Sequence, residues 1–314
     1  MTRPPSPVLS RSGSGAAIAL VSAGVGLDLW VSTWMARVSH QWLPVQASSA
    51  APYVDDLFAL ETGIGTFIFV GCAAVMLWTL LFNRSRRYDL DDGDPIEGNL
   101  RLEIVWTIIP LVVVMLIAVH AIRVNGILAT LGGKLRVTGP EAASVTAGSD
   151  DRLDAGVLVV IGRLWSWFLY SPKGVRSTEL HLPVDRRARF RLVSEDVIHG
   201  FFIPAFRLKQ DLIPGSVIDY SLTPTREGRY RLRDSMFSGG YFAANQTDVV
   251  VESEDTFRRW LEEASRAPLQ PAANPATELH RQRLARGDRG WATVPPAPPP
   301  LVNVDADPDA PHEA

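Results

Sequence analysis

Residues 57–82 read LFALETGIGTFIFVGCAAVMLWTLLF, and residues 104–122 read IVWTIIPLVVVMLIAVHAI. The first stretch contains one charged residue, Glu61, and the second contains none if His120 is neutral. A helix needs roughly 20 apolar residues to cross a hydrocarbon core about 30 Å thick, and both stretches provide them. Pro110 is tolerated inside a span, because neighbouring helices can satisfy the freed backbone groups. We therefore predict a transmembrane helical hairpin over residues 57–124.

The basic residues predict how this hairpin is oriented. Arg84, Arg86 and Arg87 directly follow the first span. Because cytoplasmic loops carry an excess of Lys and Arg, this loop should be cytoplasmic, and everything after residue 123 should lie on the periplasmic or lumenal side. Residues 1–40 contain a further apolar stretch interrupted by Asp28. They are either a signal peptide cleaved near residues 47–51 or an uncleaved first span, and both fit the orientation.

The composition excludes several classes of protein. The formal net charge of the 314-residue chain is −3, which gives no reason to expect a nucleic acid partner. The single cysteine, Cys72, excludes an intrachain disulfide framework and leaves the compartment undetermined.

Short apolar runs broken by turns begin near residue 157. They have the length and residue types of β-strands, and no helices intervene, so residues 157–265 predict an all-β antiparallel sandwich or barrel. Residues 254–265 form an amphipathic closing helix, with Phe257 and Trp260 on one face. Residues 125–156, rich in Gly, Ser and Ala, read as a linker. Residues 266–314 are rich in Pro, Ala and charge, and we expect them to be disordered.

Four ordered motifs resemble subunit II of haem–copper terminal oxidases, the cytochrome c oxidase subunit 2 family. They are Leu102–Pro110, Gly162–Trp167, Ser194–His199 and Leu208–Gly215. The resemblance covers roughly residues 50–262 and implies a membrane-anchored α+β fold whose β-domain is a cupredoxin-like sandwich. The phrases Asp94–Asn99 and Val249–Glu252 look most like the cyanobacterial branch, including its alternative respiratory terminal oxidase.

In copper-carrying members of that family, a dinuclear centre is held by two bridging cysteines, two histidines, a methionine and a backbone carbonyl. Of these side chains only His199 remains here, and we expect it to be a hydrogen-bonded core histidine. The other positions hold Asp234, Met236, Ser238, Phe242 and Asn245. Soft sulfur ligands are what hold such copper, and one cysteine in a distant apolar stretch cannot bridge two metals. We therefore expect no metal in this chain.

Two further positions carry roles by resemblance. Glu103 matches a glutamate near the entrance of a proton path shared with subunit I, and an ionisable group at the end of a span is a functional hypothesis by default. The alternative is an interfacial carboxylate favoured by a helix N-terminus. Trp165 matches the tryptophan that relays electrons from copper towards haem, and without a copper donor we expect it to be structural.

The resemblance implies a subunit of an oxygen-reducing, possibly proton-translocating oxidase, in which this chain alone is not catalytic. Missing copper ligands favour a quinol oxidase, because quinol dissolves in the bilayer and can deliver electrons to subunit I directly. The expected partners are subunit I, which carries the haems and one copper, together with subunit III, quinol and lipid of a plasma or thylakoid membrane. The alternatives are a cytochrome c oxidase subunit with a degenerate copper site, and a non-catalytic assembly or metal-reduction subunit.

Overall fold

The computed structural model describes residues 11–82, 98–132, 136–138, 154–163, 166–170, 172–239, 242–271, 275–288 and 301–305. The chain divides into two units. The first contains Met1–Leu43 and Asp55–Arg123, and the second contains Pro44–Val54 and Val124–Ala314.

The first unit is built from long apolar helices. They are α1 (Arg11–Ser39), α2 (Ala51–Phe82) and α3 (Leu100–Gly132), and each is long and apolar enough to cross a membrane. Most of their large apolar side chains are exposed, as expected for helices that face lipid or a membrane partner. The predicted hairpin is therefore confirmed. α3 continues eight residues beyond the predicted end at 124, where no proline interrupts it and Leu128, Ala129 and Leu131 favour a helix.

The second unit contains a β-sandwich. Its strands are β1 (Arg136–Thr138), β2 (Asp154–Arg163), β3 (Ser166–Tyr170), β4 (Arg176–Ser177), β5 (Leu180–Pro183), β6 (Arg187–Ser194), β7 (His199–Ile203), β8 (Leu208–Leu212), β9 (Val217–Leu222), β10 (Gly228–Asp234) and β11 (Gln246–Glu252). One sheet has the order β1-β9-β6-β2-β3-β4, and the other has the order β5-β11-β10-β7-β8. β6 and β11 alternate strictly between buried and half-buried side chains, which is the pattern of strands with one face on a core.

The core contains fully buried aromatic and aliphatic side chains from both sheets, including Phe190 and Phe201, together with Phe206 from the turn between β7 and β8. The predicted cupredoxin-like sandwich is confirmed. The sheets are mixed rather than purely antiparallel, because β2 pairs in parallel with β6 and β5 pairs in parallel with β11. Residues 136–138, placed in the predicted linker, instead pair with β9, since an edge strand is recruited by backbone hydrogen bonds whatever its composition.

The segment after residue 266, which the sequence predicts to be disordered, contains ordered elements. After α4 (Glu254–Arg266), the chain forms β12 (Gln270–Pro271), α5 (Pro275–Arg286) and β13 (Val304–Asp305). Asn303 is buried, and its side-chain amide donates to the carbonyls of Ala264 and Ala267 at the end of α4. Val302 packs against the apolar face of α4. Hydrogen bonds to a helix end and one apolar contact therefore order a segment that composition alone predicts to be disordered.

Candidate functional site at the position of a copper centre

The positions matched to copper ligands come together at one end of the β-sandwich. Asp234 is the last residue of β10, and Asn245 immediately precedes β11, so the loop between these two strands carries most of the set. β10 pairs with β7, in a register that sets Asp234 opposite Phe201. His199, the first residue of β7, therefore lies beside the start of this loop. The peptide N–H of Asp234 also donates to the carbonyl of Asn245, at 2.9 Å, and closes the loop.

The Asp234 carboxylate is the centre of the site, and its side chain is completely buried. Oδ1 accepts hydrogen bonds from the peptide N–H groups of Gly200, at 2.7 Å, and Met236, at 3.0 Å. Oδ2 accepts from Nδ1 of His199 at 2.7 Å, from Oγ of Ser238 at 2.9 Å and from Nδ2 of Asn245 at 3.2 Å. Both oxygens are thus filled by protein donors.

His199 is held by carboxylates at both ring nitrogens. Its side chain is fully buried, Nδ1 lies 2.7 Å from Asp234, and Nε2 lies 2.8 Å from Oδ1 of Asp196. An imidazole can donate from both nitrogens only when it is protonated. The arrangement therefore favours an imidazolium ion between two carboxylates. Asp196, which sequence reasoning did not single out, lies three residues before His199, and that spacing across the β6–β7 turn was the available signal.

The electrostatics of the pair follow from these contacts. Burial acts to raise the pKa of Asp234, but hydrogen bonds from His199, Gly200, Met236 and Ser238 outweigh it, so the pKa falls below its ordinary value. Burial acts to lower the pKa of His199, but the hydrogen bonds to Asp234 and Asp196 outweigh it and raise the pKa. Both shifts favour the charged pair at neutral pH.

Two glycines allow this close packing. A Cβ on Gly200 would lie 2.9 Å from the peptide nitrogen of Ser235 and 3.0 Å from that of Met236. Cβ atoms essentially never approach backbone nitrogens so closely. β7 can therefore pass this loop only if position 200 is a glycine. A Cβ on Gly162 would lie 3.0 Å from the His199 ring. The glycine of the aromatic strand motif therefore leaves room for the buried histidine.

The remaining loop residues do not supply soft ligands. Ser238 Oγ lies 2.8 Å from the carbonyl of Ile198 in addition to its contact with Asp234. Phe242 packs edge-on against the exposed ring of Phe237, with centroids 5.3 Å apart. Met236 contributes its peptide N–H to Asp234. The structure thus brings all six predicted positions into one place.

The chemistry of this donor set does not fit a dinuclear copper centre. Such a centre needs a pair of thiolates, and the positions of the two cysteines hold an aspartate and a serine that are hydrogen-bonded to each other. Among the described residues, no group of three His, Cys, Asp or Glu side chains is arranged to hold a metal ion. The arrangement can hold a buried ion pair and keep the loop rigid.

The predicted proton-path residue lies in the first unit. Glu103 is half-buried in the first turn of α3, where Asn99 Oδ1 accepts from the peptide N–H groups of Arg101 and Leu102 and caps the helix. Its Oε1 lies 2.6 Å from the place where a Cβ on Gly98 would stand, so the carboxylate folds back over a residue without a side chain. Trp165 lies outside the described residues.

The chain is similar to known proteins over most of its length. A family model described as the transmembrane domain of cytochrome c oxidase subunit II matches residues 36–124, and one described as its periplasmic domain matches residues 175–253. The chain is 30% identical over 299 residues to cytochrome c oxidase subunit 2 of Thermostichus vulcanus, with 84% of this chain and 90% of that protein covered. It is 29% identical over 213 residues to quinol oxidase subunit 2 of Bacillus subtilis, with 66% of this chain and 61% of that protein covered.

Among solved structures, the periplasmic domain of subunit II of cytochrome oxidase from Bradyrhizobium japonicum is 24% identical, with a TM-score of 0.34, and 36% of this chain and 94% of that chain are covered. A chain of a haem–copper terminal oxidase dimer is 22% identical, with a TM-score of 0.35, and 46% of this chain and 97% of that chain are covered.

Proposed function

Because the chain belongs to the cytochrome c oxidase subunit II family, a family of subunits of oxygen-reducing terminal oxidase complexes, we propose that its complex takes electrons from quinol in the membrane. One observation carries the proposal. The position of a bridging thiolate is occupied by the buried carboxylate of Asp234, which holds His199 as an ion pair. A site built in this way has no redox-active group, so electrons must enter the complex elsewhere.

The physical argument concerns solubility of the donor. Cytochrome c is a soluble protein that needs an acceptor on the outer face of the complex. Quinol dissolves in the bilayer and can reach subunit I without an outer relay. A change of electron donor predicts that the copper ligands are absent while the sandwich, its core and the membrane helices are kept. The role left to the β-domain is then to cover and dock onto subunit I.

The remaining assignments belong to the same proposal. Subunit I carries the haems and one copper, subunit III is a further partner, and Glu103 lies at the entrance of a proton path. The β-domain lies on the periplasmic or lumenal side of a plasma or thylakoid membrane. Three apolar helices and a family model for a transmembrane domain support the membrane placement.

The test compares electron donors on the purified complex. Oxygen uptake should be fast with a reduced short-chain quinol and slow with reduced cytochrome c. As a matched control, the same two donors should be given to a complex whose subunit II carries both copper-ligand cysteines, which should prefer cytochrome c. Fast, saturable oxidation of cytochrome c by the complex of this chain would overturn the proposal.

A second candidate is a cytochrome c oxidase subunit that works with a degenerate site. Relatives of 30% identity that carry the name cytochrome c oxidase subunit 2 favour it. The two candidates differ in the same experiment, since only the second predicts saturable turnover with cytochrome c.

A further inference from the structure

We infer that α1 is a permanent third membrane span of the mature protein, because the segment that follows it is built into the β-domain. The sequence alone leaves open a signal peptide cleaved within residues 47–51. Cleavage there would release α1 together with the residues immediately before the cut. The structure shows that those residues have structural partners.

The segment 44–50 is hydrogen-bonded to the β-domain along its length. The N–H of Ala47 donates to the carbonyl of Ala205 at 3.0 Å, and the N–H of Thr225 donates to the carbonyl of Ala47 at 3.0 Å. The N–H of Ser49 donates to the carbonyl of Thr223, also at 3.0 Å. The bonds of Ala47 and Ser49 to residues 223 and 225 frame an isolated antiparallel β-bridge between Ser48 and Pro224.

Two side chains of the segment, those of Ala47 and Ser48, are buried as deeply as those of the sandwich. Ala47 is 0% exposed and belongs to the main hydrophobic core. Ser48 is 2% exposed, and its hydroxyl donates to the carbonyl of Phe206 at 2.8 Å. The guanidinium of Arg207 reaches the carbonyl of Pro44, at 2.6 Å. A cut after Ala50 or Ala51 would remove all of these partners and open the core at Ala47.

The membrane unit gives independent support, because α1 and α2 pack through small residues. A Cβ on Gly63 would lie 3.2 Å from the Cβ of Ala36, and a Cβ on Gly71 would lie 3.4 Å from Oδ2 of Asp28. Asp28 and Ala36 are eight residues apart, as are Gly63 and Gly71, so the two contacts define one antiparallel seam about 12 Å long. Small residues that let helix backbones approach are the usual basis of packing between membrane helices.

Asp28 is the polar group in this seam. It is 8% exposed, although its neighbours in the sequence are apolar, and it lies about 16 Å along the helix from Ser39. Ser32, one turn later and 5% exposed, donates to the backbone carbonyl of Asp28 at 2.7 Å and lies 3.4 Å from Oδ1. Ionisable groups inside a membrane face the bundle interior. Without α1, the surface of α2 at Gly63 and Gly71 would lose the residues that pack against it.

The length of α1 points the same way. The candidate span Gly15–Trp42 has 28 residues, whereas the apolar region of a signal peptide has about 7–15. α1 is therefore long enough to cross the membrane and remain there.

The first test is N-terminal sequencing and intact-mass measurement of the full chain purified from membranes. We expect peptides that contain residues before Pro44 and a mass that includes α1. A mature N-terminus anywhere between residues 37 and 52 would show that α1 has been removed and would overturn the inference.

The second test probes the seam by disulfide formation in a Cys72→Ser background. Ala36→Cys combined with Gly63→Cys should cross-link on mild oxidation, because cysteine Cβ atoms bridge at about 3.5–4.5 Å. Asp28→Cys with Gly71→Cys is a second pair in the same register. The matched control is Trp30→Cys with Gly63→Cys, since Trp30 is 64% exposed and should not react. Equal cross-linking of control and seam pairs, or none in either seam pair, would show that α1 does not pack as described.

Discussion

Replacing Asp234 by asparagine should destabilise the β-domain far more than its small chemical change suggests. The carboxylate accepts five hydrogen bonds, from His199, Gly200, Met236, Ser238 and Asn245. An amide keeps one acceptor oxygen and presents an NH₂ group to donors. In either orientation, Asp234→Asn therefore sets an NH₂ group against donors, on one side the N–H groups of Gly200 and Met236 and on the other His199, and it removes the negative charge beside His199.

The magnitude follows from the burial of both partners, whose side chains are 0% exposed. Removing one member of a buried ion pair costs about 3–5 kcal/mol, and His199 would keep only Asp196 as a carboxylate partner. Local opening of β7 and β10 should become more favourable by that amount. At about 1.4 kcal/mol for each tenfold change, amide hydrogen exchange of 199–203 and 228–234 should accelerate by roughly 10²- to 10⁴-fold.

The assay is hydrogen exchange followed by mass spectrometry on the full chain in detergent, with Asp248→Asn as the matched control. Asp248 pairs with Arg229 and Arg231, whose side chains are 58% and 48% exposed. Such surface pairs contribute about 0–1 kcal/mol, so exchange in the control should rise less than tenfold. If Asp234→Asn accelerates exchange no more than Asp248→Asn does, the ion pair does not stabilise this end of the domain and the reasoning above is refuted.

Four further predictions concern pH, packing, metal and turnover. The stability that His199 contributes is fully present below its ordinary pKa of 6.5 and is lost as the pH rises through its raised pKa in the folded state. The stability that Asp234 contributes is present above its ordinary pKa of 3.8 and is lost as the pH falls through its lowered pKa in the folded state. The decline in melting temperature at alkaline pH should therefore disappear in His199→Gln. Gly200→Ala should lower the free energy of unfolding by about 1–3 kcal/mol, measured by denaturant titration. The control is Gly126→Ala in α3, at a glycine with open space around it and no positive φ, and it should avoid this overpacking cost. Equal losses in the two variants would contradict the steric argument. The full chain purified from copper-rich medium should contain no dinuclear copper by elemental analysis and electron paramagnetic resonance, and two coppers per chain would contradict the donor-set argument. Glu103→Gln should slow oxygen reduction by the assembled complex about tenfold or more, which corresponds to about 1.4 kcal/mol in the barrier, while the haem spectra stay unchanged. The control is the surface variant Glu262→Gln. If both variants keep full turnover, Glu103 is a carboxylate at a helix end and not part of a proton path.

The sequence predicted the parts of the fold that depend on local pattern. The length of the apolar stretches was enough to locate α2 and α3, and the alternation of polar and apolar residues in β6 indicated that only one of its faces is buried. It could not predict the parallel pairing of β2 with β6 and of β5 with β11, because strand partners are set by tertiary packing of distant segments. The ordered segment 301–305 was missed for the same reason, since its partners on β4 and α4 lie far away in the chain.

The candidate site was predicted in position but not in arrangement. The motif spacing named His199, Asp234, Ser238 and Asn245, and the structure brings them together. That Asp234 would accept from backbone N–H groups on two different segments could not be read from the sequence. Those contacts depend on the close approach of β7 to the loop at Gly200, which is a property of the folded backbone.

The five donors around Asp234 bear on how this protein can evolve. A single substitution of Asp234 to cysteine would introduce one sulfur, but it would leave the N–H groups of Gly200 and Met236 without their acceptor and His199 with Asp196 as its only carboxylate partner. Each buried donor left without a partner costs about 1–3 kcal/mol, against a total stability of about 5–15 kcal/mol for a typical domain. A copper site gained here one substitution at a time would therefore pass through a poorly folded intermediate before a second thiolate or any metal could compensate. The hydrogen bonds of Asp234 thus act as an evolutionary barrier to copper binding at this position.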